Sequence, residues 1–295
     1  MRAPTCLESR PFSLGEPDSH DRMNRIPMDG TAAASGQPGR ASRGVQSVDV
    51  AARVLQALAQ ARRPLGPGDL AALAGLPPAQ AHPYLVSLIR LGLLKRDPMS
   101  GDYAPGPMTL RLALLHLEND PAYRAAVPRV IALARETGFC VAICTSAPQG
   151  PLVVHFERAA FPLHVNLHVG SVMSLTTTST GRAFCAFTPQ AQWPQAWHEQ
   201  MPPTSDERER FNASLDETRA HGMSRSVNMP SPSVSSLCAP VFDASGRLRL
   251  ALTAIGPTAA LDVAWNGAAA SALCATASAI ARQVDADRDG AEVSA

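Results

Sequence analysis

The chain has 295 residues, 45% of them hydrophobic, with 26 Lys and Arg against 25 Asp and Glu and a formal net charge of +1. That length accommodates about two domains, each with its own core, and so even a balance excludes a chain that is basic or acidic throughout. No run approaches the roughly 20 apolar residues of a spanning helix, and no charged-then-apolar leader begins the chain, which predicts a cytoplasmic protein with no membrane partner.

The charge is unevenly spread. From Arg40 to Gly106 eight basic residues face four Asp, whereas from Pro107 onward 14 basic residues face 16 acidic ones. The first part is therefore +4 and the second −2, an asymmetry that directs a search for a nucleic-acid surface to the first part. Lys95 is the only lysine. Six cysteines show no CxxC spacing, and five of them lie among apolar residues, where a free thiol behaves as a small hydrophobe. Cys140 and Cys144 share one face of an expected strand, but no His or acidic residue nearby in sequence completes a tetrahedral set, so they read as buried thiols. No metal and no cofactor is expected.

Residues 1–44 mix Pro, Gly, Ser, Asp and Arg without apolar periodicity and are expected to be disordered. Met23 and Met28 are alternative translation starts within this segment. Its end, Arg40-Ala41-Ser42-Arg43, reads either as a basic arm for a minor groove or as plain disorder. A first helix is expected over Val48–Ala61, capped by Ser47, with Val48, Ala51, Leu55 and Leu58 on its buried face. Gly66-Pro67-Gly68-Asp69 opens a short helix, Leu70–Ala74, which Gly75 terminates.

The next helix carries Ala81, Leu85, Leu88 and Leu91 at the spacing of one buried face, and Gly92 stops it. Its other face shows Gln80, His82, Ser87 and Arg90. Pro83 falls inside this stretch, so the helix either kinks there or begins at His82 with the proline in its first turn. A hairpin follows, turned by Asp97-Pro98 and closed by Gly101. Two short helices, a Gly-containing turn, an amphipathic helix and a hairpin make a winged helix-turn-helix over 45–106.

A linker helix is expected over 107–120. It is apolar around its circumference and has to bury more than one face, either against its copy in a dimer or on its own second domain. A further helix from Asn119-Asp120-Pro121 to Thr137 is expected to be broken or offset at Pro128. Strand-like runs follow at Phe139–Thr145, Leu152–Glu157, Leu163–Val169, Leu237–Phe242 and Leu248–Ile255, with Asp243-Ala244-Ser245-Gly246 as a hairpin turn. Helical runs are Ser179–Phe187, Ala191–Gln200, Ser205–His221 and Asp262–Val284. Together they predict an α+β domain over 121–284 with a mostly antiparallel sheet, and a disordered tail over 285–295. His164, Asn166 and His168 alternate onto one face of their strand and read as a solvated sheet face rather than a metal site.

In this order the residues resemble the IclR family of bacterial transcriptional regulators. The first domain carries Val45-Gln46-Ser47-Val48-Asp49, Arg63-Pro64-Leu65, Asp69-Leu70-Ala71, Gly75-Leu76-Pro77, Leu91-Gly92 and a wing from Arg96-Asp97 through Gly101-Asp102-Tyr103 to Gly106-Pro107. The second carries Glu136-Thr137-Gly138, Val169-Gly170, Gly181-Arg182-Ala183, Gly222, Ala239-Pro240-Val241-Phe242-Asp243, Gly246-Arg247 and Gly256-Pro257, and resembles the family's GAF-like effector domain. The resemblance implies a homodimeric or tetrameric repressor or activator that binds a pseudo-palindromic operator on double-stranded DNA and answers to a small-molecule effector.

On DNA, Gln80 is the candidate base reader, because a carboxamide pairs bidentately with adenine. His82, Ser87 and Arg90 are candidate phosphate contacts, Lys95 and Arg96 sit where a wing meets the backbone, and Arg43 belongs to the arm. The family usually has a polar residue, often Arg, where this chain has Pro83. In the second domain Thr176-Thr177-Thr178-Ser179-Thr180 leads to Gly181, and N–H groups at a helix start beside small hydroxyls suit a carboxylate. The resemblance carries the effector contacts to Ser179, Thr180, Ser236 and Thr253, with Ser226 as a further position. Ser236 stands where the family commonly has Cys, and Ile255 where it often has Ser. No Gly-x-Ser-x-Gly elbow, phosphate loop or paired-carboxylate motif supports an enzyme. The other rival is a sensory protein whose DNA binding has weakened.

Overall fold

The computed structural model describes residues 45–158 and 166–293. The described residues fall into two units divided between Leu117 and Glu118. The amino-terminal segment, with Arg43, Met23 and Met28, lies outside the described residues, as does His164.

The first unit contains helices α1 (Gln46–Ala61), α2 (Pro67–Leu73) and α3 (Pro78–Arg90), then an antiparallel hairpin of β1 (Leu94–Arg96) and β2 (Tyr103–Pro105), then all but the last two residues of helix α4 (Pro107–Asn119). This is the expected helix-turn-helix with a wing. Helix α1 starts earlier than expected: Val45 holds the cap position, Ser47 lies in the first turn, and no side chain caps the helix. Its buried face is Val50, Val54, Ala57 and Leu58, while Val48 is 63% exposed. A helix this rich in Ala, Val and Leu carries two overlapping apolar stripes, and packing against α2 and α3 selects between them. Helix α2 begins at Pro67, where proline's fixed φ suits the first helical position.

The wing turn is built on Asp97. Its Oδ1 accepts from the amides of Met99 at 2.8 Å and Ser100 at 2.9 Å, and its carbonyl accepts from the amide of Gly101 at 2.9 Å. The Ser100 and Met99 amides hold its carboxyl below the usual carboxylate range. The hairpin's exit runs against the end of α3: a Cβ on Gly106 would stand 2.2 Å from the carbonyl oxygen of Gly92. Helix α4 has no buried residue, and Leu110, Leu112, Leu114 and Leu115 are each at least half exposed.

The second unit is built on a five-stranded, wholly antiparallel sheet of order β4-β3-β7-β6-β5, formed by β3 (Cys140–Ala147), β4 (Gly150–Glu157), β5 (Ser224–Ser226), β6 (Val234–Phe242) and β7 (Leu248–Pro257). Helices α5 (Pro121–Thr137) and α9 (Ala268–Val293) cover one face, packing on Val141, Ile143, Leu237, Leu252 and Ala254. On the other face lie α6 (Ser179–Phe187) and α8 (Ser205–His221), with Trp193 and the short α7 (Pro194–Gln200), over Ala142, Cys144, Cys238 and Ala251.

Several expectations change here. Pro128 does not break α5, because a face of Ala122, Ala125, Ala126, Val130 and Leu133 buried under α9 outweighs one missing hydrogen bond. The strand expected at Leu163–Val169 is not formed in its described part: residues 166–169 are irregular and lead into a turn, with the His168 amide held by Ser171 Oγ at 3.1 Å. The three-residue β5 was not foreseen; Ser224-Arg225-Ser226 is too short and too polar to show alternation. Residues 262–267 form a turn, with Asp262 Oδ1 accepting from the Ala264 amide at 2.9 Å, so α9 starts at Ala268 and continues to Val293.

Candidate functional site

In the first unit the residues of interest lie on α3 and the wing. Helix α3 does not begin at His82; it runs from Pro78 to Arg90 with Pro83 in its interior. Pro83 has no N–H, so the carbonyl of Ala79, four residues earlier, lacks its usual helical partner. Ala81, Leu85 and Leu88 are buried, whereas Leu91, expected on the same face, is 58% exposed at the cap. The Leu91 amide still donates to the Ser87 carbonyl at 3.0 Å, but at about 100° per residue Leu91 lies about 60° beyond Leu88 and about 120° from Leu85, at the edge of the buried face.

The expected contact residues distribute unevenly. Gln80, His82 and Arg90 are exposed, and Ser87 is half-buried. Lys95 and Arg96 are exposed on β1, but Arg96 is braced against its own wing, with Nε donating to the Gly101 carbonyl at 3.1 Å and the guanidinium 5.8 Å from the Tyr103 ring centre. The ridge opposite the core is Ala79, Pro83, Val86 and Arg90, all exposed and spaced i, i+4, i+7, i+11. Gln80 and His82 flank it on either side. Pro83 and Val86 were not among the expected contacts, although the complement of Ala81, Leu85 and Leu88 on a helical wheel points to them.

In the second unit the start of α6 lies over the sheet. Thr178 is the N-cap: its Oγ1 accepts from the Gly181 amide at 2.9 Å and donates to the Ser174 carbonyl at 2.6 Å. The Gly181 N–H is thus taken by the cap, and the residue's role is space, because a Cβ there would stand 2.0 Å from the Ser174 carbonyl oxygen. Two hydroxyl pairs join α6 to the sheet, Ser179 with Ser236 at 2.7 Å and Thr180 with Thr253 at 2.8 Å. Ser224 Oγ donates to the Ser179 carbonyl, and Ser226 Oγ to the Met229 carbonyl at 3.0 Å.

The strand register sorts these groups into two rows. Ser226, Ser236, Ile255 and Cys140 are paired across β5, β6, β7 and β3; the next row is Ser224, Cys238, Thr253 and Ala142. The second row is sealed. Thr180 and Thr253 are buried beside the thiols of Cys144 and Cys238; burial raises both, Cys238 to about 12. The first row borders an apolar cluster of Cys140, Val234 and Ile255, on which Phe156 and Leu167 pack half-buried. The sequence-derived set therefore falls into two buried hydroxyl pairs, Ser179 with Ser236 in the row that also holds Ser226 and borders the apolar cluster, and Thr180 with Thr253 beside the thiols, while Gly181 provides clearance.

Sequence alone assigns Arg182 no role. It is 9% exposed, and its Nη1 and Nη2 donate to the carbonyls of Thr176 at 3.0 Å and Arg225 at 2.5 Å. It ties the segment before Ser179 to the strand that carries Ser224 and Ser226. Burial lowers its pKa from the ordinary value. Among the described residues no three His, Cys, Asp or Glu come together in a way that would hold a metal ion, and no helix is long and apolar enough to cross a membrane.

Comparison with known proteins finds a match for each of the two units. Residues 47–98 match the IclR helix-turn-helix domain, and residues 116–282 match the C-terminal domain of the bacterial transcriptional regulator IclR. The glycerol operon regulatory protein of Streptomyces coelicolor is 31% identical over 225 residues, 75% of this chain and 87% of that protein. Its namesake in Streptomyces griseus is 31% identical over 255 residues, 84% of this chain and 99% of that protein. The fold is shared with an IclR homologue from Microbacterium hydrocarbonoxydans crystallised with 4-hydroxybenzoate, at a TM-score of 0.65 and 18% identity, covering 81% of this chain and 98% of that one. With both of its units matched in order and full-length relatives above 30% identity, this chain belongs to the IclR family of DNA-binding transcriptional regulators.

Proposed function

We propose that the protein is an effector-responsive regulator that reads a pseudo-palindromic operator with α3 and takes a small organic acid in the second unit. The observation that carries the effector half is the row of Ser179, Ser226 and Ser236 beside the wall of Cys140, Val234, Ile255, Phe156 and Leu167. Hydroxyls at the start of a helix suit a carboxylate, and the wall suits an apolar body. The 4-hydroxybenzoate held by a protein of the same fold has that chemistry. No residue is assigned a catalytic role.

The exposed leucines of α4 support a homodimer. Four leucines at least half exposed on one helix form the kind of surface a monomer seldom presents to water. A second copy covering them would bring one α3 to each of two half-sites.

The test has two arms. Selection from a random duplex pool with the full chain is expected to enrich an inverted repeat, and Gln80→Ala is expected to cost about 1–3 kcal/mol and relax one base pair per half-site. Equal loss on every sequence would make Gln80 a backbone contact instead. For the effector, thermal unfolding is followed with 4-hydroxybenzoate, other small carboxylates and glycerol. A carboxylate at about 100 times its Kd is expected to stabilise by about 2.7 kcal/mol, and Ser236→Ala to remove the effect. Stabilisation by glycerol and by no carboxylate overturns the acid reading.

A further inference from the structure

Resting on the reading of α3 as the DNA-contacting helix, we infer that Pro83 and Val86 select thymine by packing on its 5-methyl group in the major groove. The outermost ridge of α3 is Ala79, Pro83, Val86 and Arg90, and three of these four are apolar. Val86 is 51% exposed, although the unit's core is closed without it. Hydrogen-bonding side chains stand to either side, Gln80 on one flank and His82 on the other, so the part of the helix pointing straight out offers shape and apolar surface rather than donors.

The major groove admits a helix at this depth, and thymine's methyl is the one apolar group that a base pair presents there. The charges around the ridge favour that occupant over a second copy of the chain. Arg90 ends the ridge, and Lys95 and Arg96 are exposed on the strand that follows. Two such ridges would bring like charges together, whereas a duplex supplies phosphates for them.

The experiment uses the full chain and a duplex enriched from a random pool. Each thymine in a half-site is replaced in turn by deoxyuridine, which removes the methyl and nothing else, and Kd is read by fluorescence anisotropy. At least one replacement per half-site is expected to weaken binding about fourfold, the equivalent of one buried methyl. Val86→Ala is expected to weaken binding to the thymine duplex and to make the thymine and uracil duplexes nearly equal. Val86→Thr, which keeps the branched shape and one methyl, is expected to retain most of the preference. Uniform tolerance of deoxyuridine, or equal loss on both duplexes in Val86→Ala, overturns the inference while leaving DNA reading by α3 in place. Failure to enrich any sequence removes both.

Discussion

Gly181→Ala is expected to destabilise the second unit by about 3 kcal/mol or more. The new Cβ would lie 2.0 Å from the Ser174 carbonyl oxygen and 2.5 Å from Leu175 Cα, so the obstacle is backbone rather than a flexible side-chain end. That backbone is anchored. The Ser174 carbonyl accepts from Thr178 Oγ1 at 2.6 Å, the Leu175 amide donates to Gln200 Oε1 at 2.9 Å, and the Leu175 side chain is fully buried. Overpacking of this kind costs about 1–3 kcal/mol and more where nothing yields. The gain of about 1 kcal/mol from replacing Gly by Ala in a helix does not offset it. Urea unfolding followed by tryptophan fluorescence reads the second unit, since Trp193, Trp197 and Trp265 all lie there. Unchanged or increased stability would show that α6 moves freely off the 174–175 segment, contrary to the closed hydroxyl pairs beneath it.

Pro83→Ala carries the opposite sign, with an expected gain of about 2 kcal/mol in the first unit. A proline in a helix interior costs about 3 kcal/mol, partly offset by about 0.4–1 kcal/mol because it also restricts the unfolded chain. The substitution restores the hydrogen bond to the Ala79 carbonyl and leaves the buried face of Ala81, Leu85 and Leu88 untouched. Thermal unfolding by circular dichroism, compared with the unaltered chain, measures it. No gain, or a loss, would mean that the surrounding structure had already absorbed the missing bond. Stability and DNA affinity are expected to move apart in this variant, because the ring that weakens the helix is also part of the ridge assigned to thymine.

The sequence was most legible where one periodicity was strong and local. Helices Ser179–Phe187 and Ser205–His221 are read to the residue, and in the structure Thr204 and Glu207 close the start of the latter as a capping box. The wing turn was equally plain, since Asp97 and Gly101 are the residue types that such a turn requires. Legibility failed where two local answers were nearly equal in energy. On α1, Val48 and Val50 begin competing stripes that sequence does not separate, and on α3 a proline's local cost leaves a kink and a late start both open, of which the packed helix excludes the late start. At the candidate effector site sequence names six residues, but which of them pair, and which strand row each occupies, comes only from the structure.

By itself the sequence determined that there are two units, that the first is a helix-turn-helix with a wing, and that hydroxyls gather near one helix start in the second. Each of these rests on interactions within a few residues, which periodicity, caps and turn chemistry report directly. Only the tertiary structure decided that Ser179 meets Ser236, 57 residues away, that Thr180 meets Thr253, 73 residues away, and that Arg182 ties Thr176 to Arg225. Those partners are set by strand register and by where α6 crosses the sheet, and neither is encoded by any short stretch of chain. The same holds for the ridge on α3: Pro83 and Val86 point outward because α1 and α2 pack against the opposite face.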